Sequence, residues 1–216
     1  SIGGSMIETI NQLFFNRFAS KPDFVVRAPG RVNLIGEHTD YNEGFVLPMA
    51  IDKAIWIGLR KREDDRVLLY SQDFPDPADF SLEGVFHVEG WGEYVHGMAW
   101  ALQELNFPLR GWDGVLVSEI PIASGLSSSA ALELAVSRAF WTLTRWEWDA
   151  SRIAKAAKKM ENEWLNLQSG IMDQMISACG QEGHALLIDC RDLTTETVPL
   201  PEDASILVMD LSLIHI

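Results

Sequence analysis

Residues 120–132, Ile-Pro-Ile-Ala-Ser-Gly-Leu-Ser-Ser-Ser-Ala-Ala-Leu, place a proline-led loop, one glycine and three consecutive hydroxyls directly before a long apolar stretch. The first N–H groups of a helix have no partner inside it, and its aligned peptide dipoles leave partial positive charge there. An anion seated at residues 125–129 is therefore bound by backbone, and the stretch reads as a phosphate cradle opening a helix. The ordinary alternative is a serine N-cap, since serine is a favoured cap in any helix. The rest of the chain has to separate the two.

The 216 residues are 47% hydrophobic and 22% charged, enough to bury a core in one large domain or two small ones. No run of 18 apolar residues and no basic-then-apolar N-terminus is visible, so neither a membrane span nor a signal peptide is expected, and the reading is a soluble, cytoplasmic protein. Cys179 and Cys190 lack Cys-x-x-Cys pairing and a histidine at ligand spacing, and they read as reduced, buried thiols. Seventeen basic against thirty-one acidic residues give a net charge of −14, which repels nucleic-acid backbones and anionic membranes. Phosphate binding must then be local.

Residues 1–5, Ser-Ile-Gly-Gly-Ser, precede Met6 and read as a linker or cloning remnant, leaving 6–210 as the domain. Helical periodicity is expected over 6–19 (Met6, Ile10, Leu13, Phe14, Phe18), 91–106 (Val95, Met98, Leu102, Leu105), 127–144, 150–165 (Ile153, Ala157, Met160, Trp164) and 171–179. Strand composition marks 24–27, 46–59, 66–71, 112–118, 184–189 and 205–209. An acidic, proline-containing loop is expected at 73–79. Strands followed by runs of helices, without regular alternation, predict an α+β fold rather than a doubly wound sheet.

Two further segments concentrate polar residues among apolar neighbours. In residues 28–41, Pro29, Gly30 and Gly36 predict a loop, and Arg31, Asn33, Glu37, His38 and Asp40 follow in close order. Mixed donors and acceptors suit a polyhydroxylated ligand such as a sugar, although a solvated loop with a salt bridge is an equally ordinary outcome. In residues 160–174, Asp173 stands among Ile171, Met172, Met175 and Ile176, where an unpaired carboxylate is ordinarily excluded. A helix N-terminus tolerates such a residue at little cost. Glu161 and Glu163 look like an exposed helix face.

Taken jointly, the three segments resemble the GHMP small-molecule kinases and, within them, the galactokinase family. Gly-Arg-Val-Asn-Leu-Ile-Gly-Glu-His-Thr-Asp-Tyr at 30–41 is similar to that family's sugar signature, Gly-Leu-Ser-Ser-Ser-Ala at 125–130 to the superfamily's ATP-phosphate loop, and Gly-Ile-Met-Asp-Gln at 170–174 to the segment with the catalytic aspartate. The resemblance implies a mixed β-sheet packed in two layers against helices, and transfer of the γ-phosphoryl of ATP to the anomeric hydroxyl of galactose. It casts Asp173 as base and Arg31 as its charge-stabilising partner. Glu37, His38, Thr39, Asp40 and Gly170 then hold the sugar, together with Asp173. Ala123, Ser124, Gly125, Leu126, Ser127, Ser128 and Ser129 hold the phosphates, and Trp91 and Tyr94 flank the adenine, although two aromatics at i and i+3 are more often core. Ser129 and Glu161 become the Mg²⁺ ligands, with Glu163 the near miss.

The departures from the family pattern are Ala123 for a glycine, Ser169 for a cysteine and Glu93 for an asparagine. Members are roughly twice this length, within the range for two domains. The C-terminal domain is therefore expected to be largely missing, residues 211–216 to be non-native, and the chain alone to be weakly active or inactive. With the family's full length the implied state is a monomer. The alternatives are a kinase for a related sugar such as N-acetylgalactosamine, and a non-catalytic sugar sensor.

Overall fold

A computed structural model describes residues 2–84, 87, 89–120 and 127–208. The elements are α1 (Ile2–Phe18), β1 (Phe24–Ile35), β2 (Phe45–Lys61), β3 (Arg66–Ser71), β4 (Ala78–Ser81), α2 (Gly92–Glu104), β5 (Trp112–Ser118), α3 (Ser128–Thr144), α4 (Ala150–Lys159), a π turn (Met160–Trp164), α5 (Met172–Cys179), β6 (His184–Asp189) and β7 (Thr194–Pro199). The strands form one mixed sheet in the order β4-β3-β5-β2-β6-β7, with β1 also paired to β2. Among the described strands, only β3 with β5 runs parallel. The α+β expectation holds.

β2 organises the sheet. Along it, residues alternate between two cores, as strand geometry requires. Ile55, Ile57 and Leu59 join the large core with Val95, Met98 and Leu102 of α2, Leu134, Ala135 and Phe140 of α3, and Ile153, Ala157, Met160 and Trp164. Ala54 and Trp56 turn to the other face and meet Ile10 and Phe14 of α1 with Val115 and Val117. Gly58 lets α1 press close, because a Cβ there would run into Ile10. The helical layer therefore lies on one face, and among the described residues α1 covers the other. The periodicities read from 6–19, 91–106 and 150–165 all point at these cores.

Six points differ from the sequence reading. Residues 28–35 are strand rather than loop: β1 runs through Pro29 and Gly30 to Ile35, broken only by register shifts at Pro29/Arg31 and Asn33/Ile35. Proline is tolerated because β1 is hydrogen-bonded to β2 alone, an edge position that needs no N–H on its open side. The acidic loop contains β4, whose Asp79 pairs with Arg66 across the β3–β4 ladder. β7 was not anticipated, because Thr-Thr-Glu-Thr-Val-Pro is almost wholly exposed and shows no apolar alternation. The strand expected at 205–209 is unpaired over 205–208, where Ile206, Leu207 and Val208 lie exposed, and Met209 is outside the described residues, as are 211–216. Helix 150–165 is α only to Lys159 and then widens into a π turn. α1, by contrast, begins at Ile2, inside the stretch set aside as linker. No helix among the described residues is long and apolar enough to cross a membrane.

Candidate active site

Asp173 sits in the first turn of α5, at the positive end of the helix, and Arg31 reaches it from the register shift of β1. The guanidinium donates through Nε to Oδ1 at 2.7 Å and through Nη2 to Oδ2 at 3.1 Å, a two-point ion pair half shielded from water. Such a fork fixes orientation as well as charge. Ser127 supplies a third contact, its hydroxyl donating to Asp173 Oδ2. This bears on the serine N-cap alternative left by the sequence. Ser127 occupies the N-cap position of α3 in a left-handed conformation (φ 59°, ψ 51°) and makes no side-chain cap bond. Its hydroxyl is directed to the carboxylate instead.

Around this pair opens a polar cavity of about 440 Å³, lined by Arg31, Glu37, His38, Asp40, Tyr41, Glu161, Gly170 and Asp173 among others. That volume lies within the roughly 300–1,000 Å³ usual for small-molecule sites. Asp40 is held by Tyr41 N–H at 2.9 Å and lies so near Gly170 that a Cβ there would fall inside its carboxylate. Asn33 donates to Glu37 at 2.7 Å, and His38 Nδ1 lies 2.6 Å from the Tyr41 hydroxyl. Of the expected sugar-holding residues, Thr39 alone is not in the lining. Its hydroxyl lies 2.8 Å from the carbonyls of both Gly36 and Phe45 and ties the loop together.

A second, apolar cavity of about 200 Å³ adjoins the first and is lined by Ile55, Phe74, Trp91, Tyr94, Leu116, Ser128, Ser129 and Leu132 among others. Tyr94 and Ser129 line both. Trp91 and Tyr94 are therefore not simply core. Phe74 stacks on Trp91 with ring centroids 5.5 Å apart, and the indole N–H of Trp91 donates to the Asp76 carbonyl at 2.9 Å. Ala123, Ser124, Gly125 and Leu126 lie outside the described residues.

Glu161 is buried, not on an exposed face, because the π turn swings it inward; Glu163 faces out toward Lys159. Beneath it lies Glu133 of α3, fully buried, accepting a hydrogen bond from Gln174 Nε2 at 3.2 Å. Burial above all, then the adjoining Glu161, pushes the Glu133 carboxyl well above its ordinary range. Burial and the same two glutamates raise the Tyr94 phenol. Glu133 was missed in the sequence, although it interrupts Ala-Ala-Leu-Glu-Leu-Ala-Val as Asp173 interrupts its own apolar run. Both cysteines are free and half-buried, and burial pushes the Cys190 thiol up to about 11.

Among the described residues no group of three or more histidine, cysteine, aspartate or glutamate side chains is placed to hold a metal. One carboxylate, Glu161, and one hydroxyl, Ser129, on the same cavity are the donor set of a hard cation that takes its remaining oxygens from phosphate and water. The residues fit Mg²⁺ in that sense.

The galactokinase galactose-binding signature matches residues 12–61, and the N-terminal domain of the GHMP kinases matches 93–181. The galactokinase of Chloroflexus aurantiacus is 44% identical over 211 residues, 97% of this chain and 54% of that protein. The structure of Lactococcus lactis galactokinase complexed with galactose superposes with a TM-score of 0.82 at 36% identity, over 92% of this chain and 52% of that one. Methanococcus jannaschii mevalonate kinase, at 24% identity and a TM-score of 0.66 over 81% of this chain and 55% of that one, shares the fold. The chain spans about half the length of the curated relatives it matches. With the galactose-binding signature over β1 and β2 and the GHMP domain over α2 to α5, the chain is similar along nearly its whole length to the N-terminal half of galactokinases, within the GHMP kinases.

Proposed function

We propose that this chain carries the sugar-binding and phosphate-binding half of a kinase that moves the γ-phosphoryl group of ATP to the anomeric hydroxyl of galactose. The observation that carries the reading is the convergence of Arg31 and Ser127 on Asp173 in the wall of a polar cavity that shares Tyr94 and Ser129 with an apolar one. Phosphoryl transfer asks mainly for positioning and charge neutralisation. Asp173 orients the attacking hydroxyl and takes its proton as the bond to phosphorus forms. Arg31 grips that carboxylate at two points and fixes its direction, so orientation of the hydroxyl is the larger part of its work.

Glu37, His38, Asp40 and the backbone at Gly170 take the sugar hydroxyls, each side chain already turned into the cavity. The adenine enters the apolar cavity against Trp91 and Tyr94, with Phe74 behind Trp91. The phosphates are taken at the N-terminus of α3 by Ser128 and Ser129, after the segment whose sequence reads as their cradle. Mg²⁺, held by Ser129 and Glu161, neutralises charge on the phosphate oxygens when bound. Thr39 supports the sugar loop from behind.

Calorimetry or thermal shift with galactose, N-acetylgalactosamine, mevalonate and homoserine, each with Mg²⁺–ATP, tests the reading. Stabilisation by galactose and not by the others is expected, amounting to about 2.7 kcal/mol at a hundredfold excess over Kd. A shift with mevalonate alone overturns it.

A further inference from the structure

Glu161 owes its burial to an irregularity. From Met160 to Trp164 the helix widens into a π turn, closed by the Leu165 N–H donating to the Met160 carbonyl at 3.1 Å, and the Leu167 N–H then donates to the Glu161 carbonyl at 2.8 Å. Such turns are unfavourable on their own and recur at functional sites, where the surrounding structure holds them. Two features of α2 hold this one. Gly97 leaves the space it needs, since a Cβ there would lie 2.7 Å from Met160 Cγ and 2.8 Å from Trp164 Cδ1. Glu93, four residues earlier on the same helix face, accepts the Trp164 indole N–H through Oε2, with His87 Nδ1 3.3 Å from the same oxygen.

Trp164 is 9% exposed and packs among the rings of His87, His96 and Trp100, so Glu93 is the acceptor on which its indole N–H depends. Met160, at the start of the turn, is wholly buried in the same core. The turn is thus fastened at its first and last residues, and Glu161, next to the first, meets Glu133 and lines the cavity shared with Ser129. Nothing in the phosphoryl-transfer reading uses Glu93.

We propose that Glu93 and Trp164 are positioning residues for the Glu161 carboxylate: their hydrogen bond locks the π turn against α2 and so aims the metal ligand. The inference rests on the reading of Glu161 as that ligand. Outer residues that orient a ligand ordinarily change metal affinity by about 10- to 100-fold when removed.

The test uses the 216-residue chain with a non-hydrolysable ATP analogue and Mn²⁺ as the paramagnetic probe, titrated by electron paramagnetic resonance. Trp164→Phe keeps the ring and removes the donor, Glu93→Leu removes the acceptor, and Glu93→Gln keeps an oxygen that accepts the same bond. Trp164→Phe and Glu93→Leu are expected to weaken Mn²⁺ about tenfold, leave metal-free nucleotide affinity unchanged, and speed amide exchange at Leu165 and Leu167. Glu93→Gln is expected to match the parent on all three measures. If Glu161→Gln loses Mn²⁺ while Trp164→Phe and Glu93→Leu keep it, the positioning role is overturned and the metal reading stands. A Glu93→Gln loss equal to that of Glu93→Leu also overturns the hydrogen-bond argument. If Glu161→Gln binds Mn²⁺ like the parent, the metal reading itself fails and the inference falls with it.

Discussion

Asp173 is a surface-type residue in a buried-type neighbourhood, and its three polar contacts explain how it stays there. Arg31 satisfies both oxygens and Ser127 one of them, so the charge is never left unpaired in a partly desolvated site. Asp173→Asn keeps the shape and removes the charge and the proton acceptor. On the proposed function, any product formation from galactose and ATP is expected to fall by about 10²- to 10⁴-fold, with galactose affinity by calorimetry close to the parent. Unchanged turnover would show that the carboxylate is structural. The oddity of Asp173 was legible in the sequence because four apolar neighbours surround it. Its bond to Ser127 was not, since nothing local links positions 46 residues apart.

At the level of elements, the sugar loop and α5 meet where glycine leaves no side chain. Gly170 has no positive φ, so its backbone is open to any residue; what excludes a side chain is the Asp40 carboxylate occupying the place of a Cβ. Gly170→Ala must push Asp40 aside or tilt the start of α5, where Met172 N–H lies 3.4 Å from Asp40 Oδ2. Loss of the galactose-induced thermal shift with retention of nucleotide binding is the expected result, and an alanine variant that still responds to galactose would contradict it. Helices with strong apolar stripes were readable from spacing alone, as Ile153, Ala157, Met160 and Trp164 show. The π turn within that same stripe was not, because one added residue per turn barely alters the pattern of buried positions. β4 and β7 escaped for a different reason: each is short and lies at the outer end of the strand order, where pairing rather than burial decides the conformation.

Across the molecule, the buried Glu133 costs stability in a pH-dependent way. Unfolded, its carboxyl loses a proton near the ordinary value of 4.5; folded, burial keeps the proton on to higher pH. The native state therefore holds more protons in that window. Its contribution is complete below 4.5 and drains away as pH rises toward the folded value. Glu133→Gln preserves an acceptor for Gln174 and cannot ionise. In metal-free buffer its melting temperature is expected to exceed that of the parent by a margin that grows as pH rises above 4.5. A constant or shrinking margin would mean that Glu133 is ionised in the fold. The sheet and its cores follow from patterns each segment carries by itself. The site depends on contacts between segments far apart in the chain, and its family motifs made it readable where periodicity could not.

Tyr94 and Ser129 belong to the walls of both cavities. Two chambers with a common partition cannot be filled independently if an occupant of either one shifts that partition. The factor by which an occupant of the first alters the hold on the second must equal the factor in the reverse direction, whichever arrives first. A substitution at Tyr94 that leaves each compound's own affinity intact should therefore reveal itself in their mutual dependence, in the same proportion from both sides.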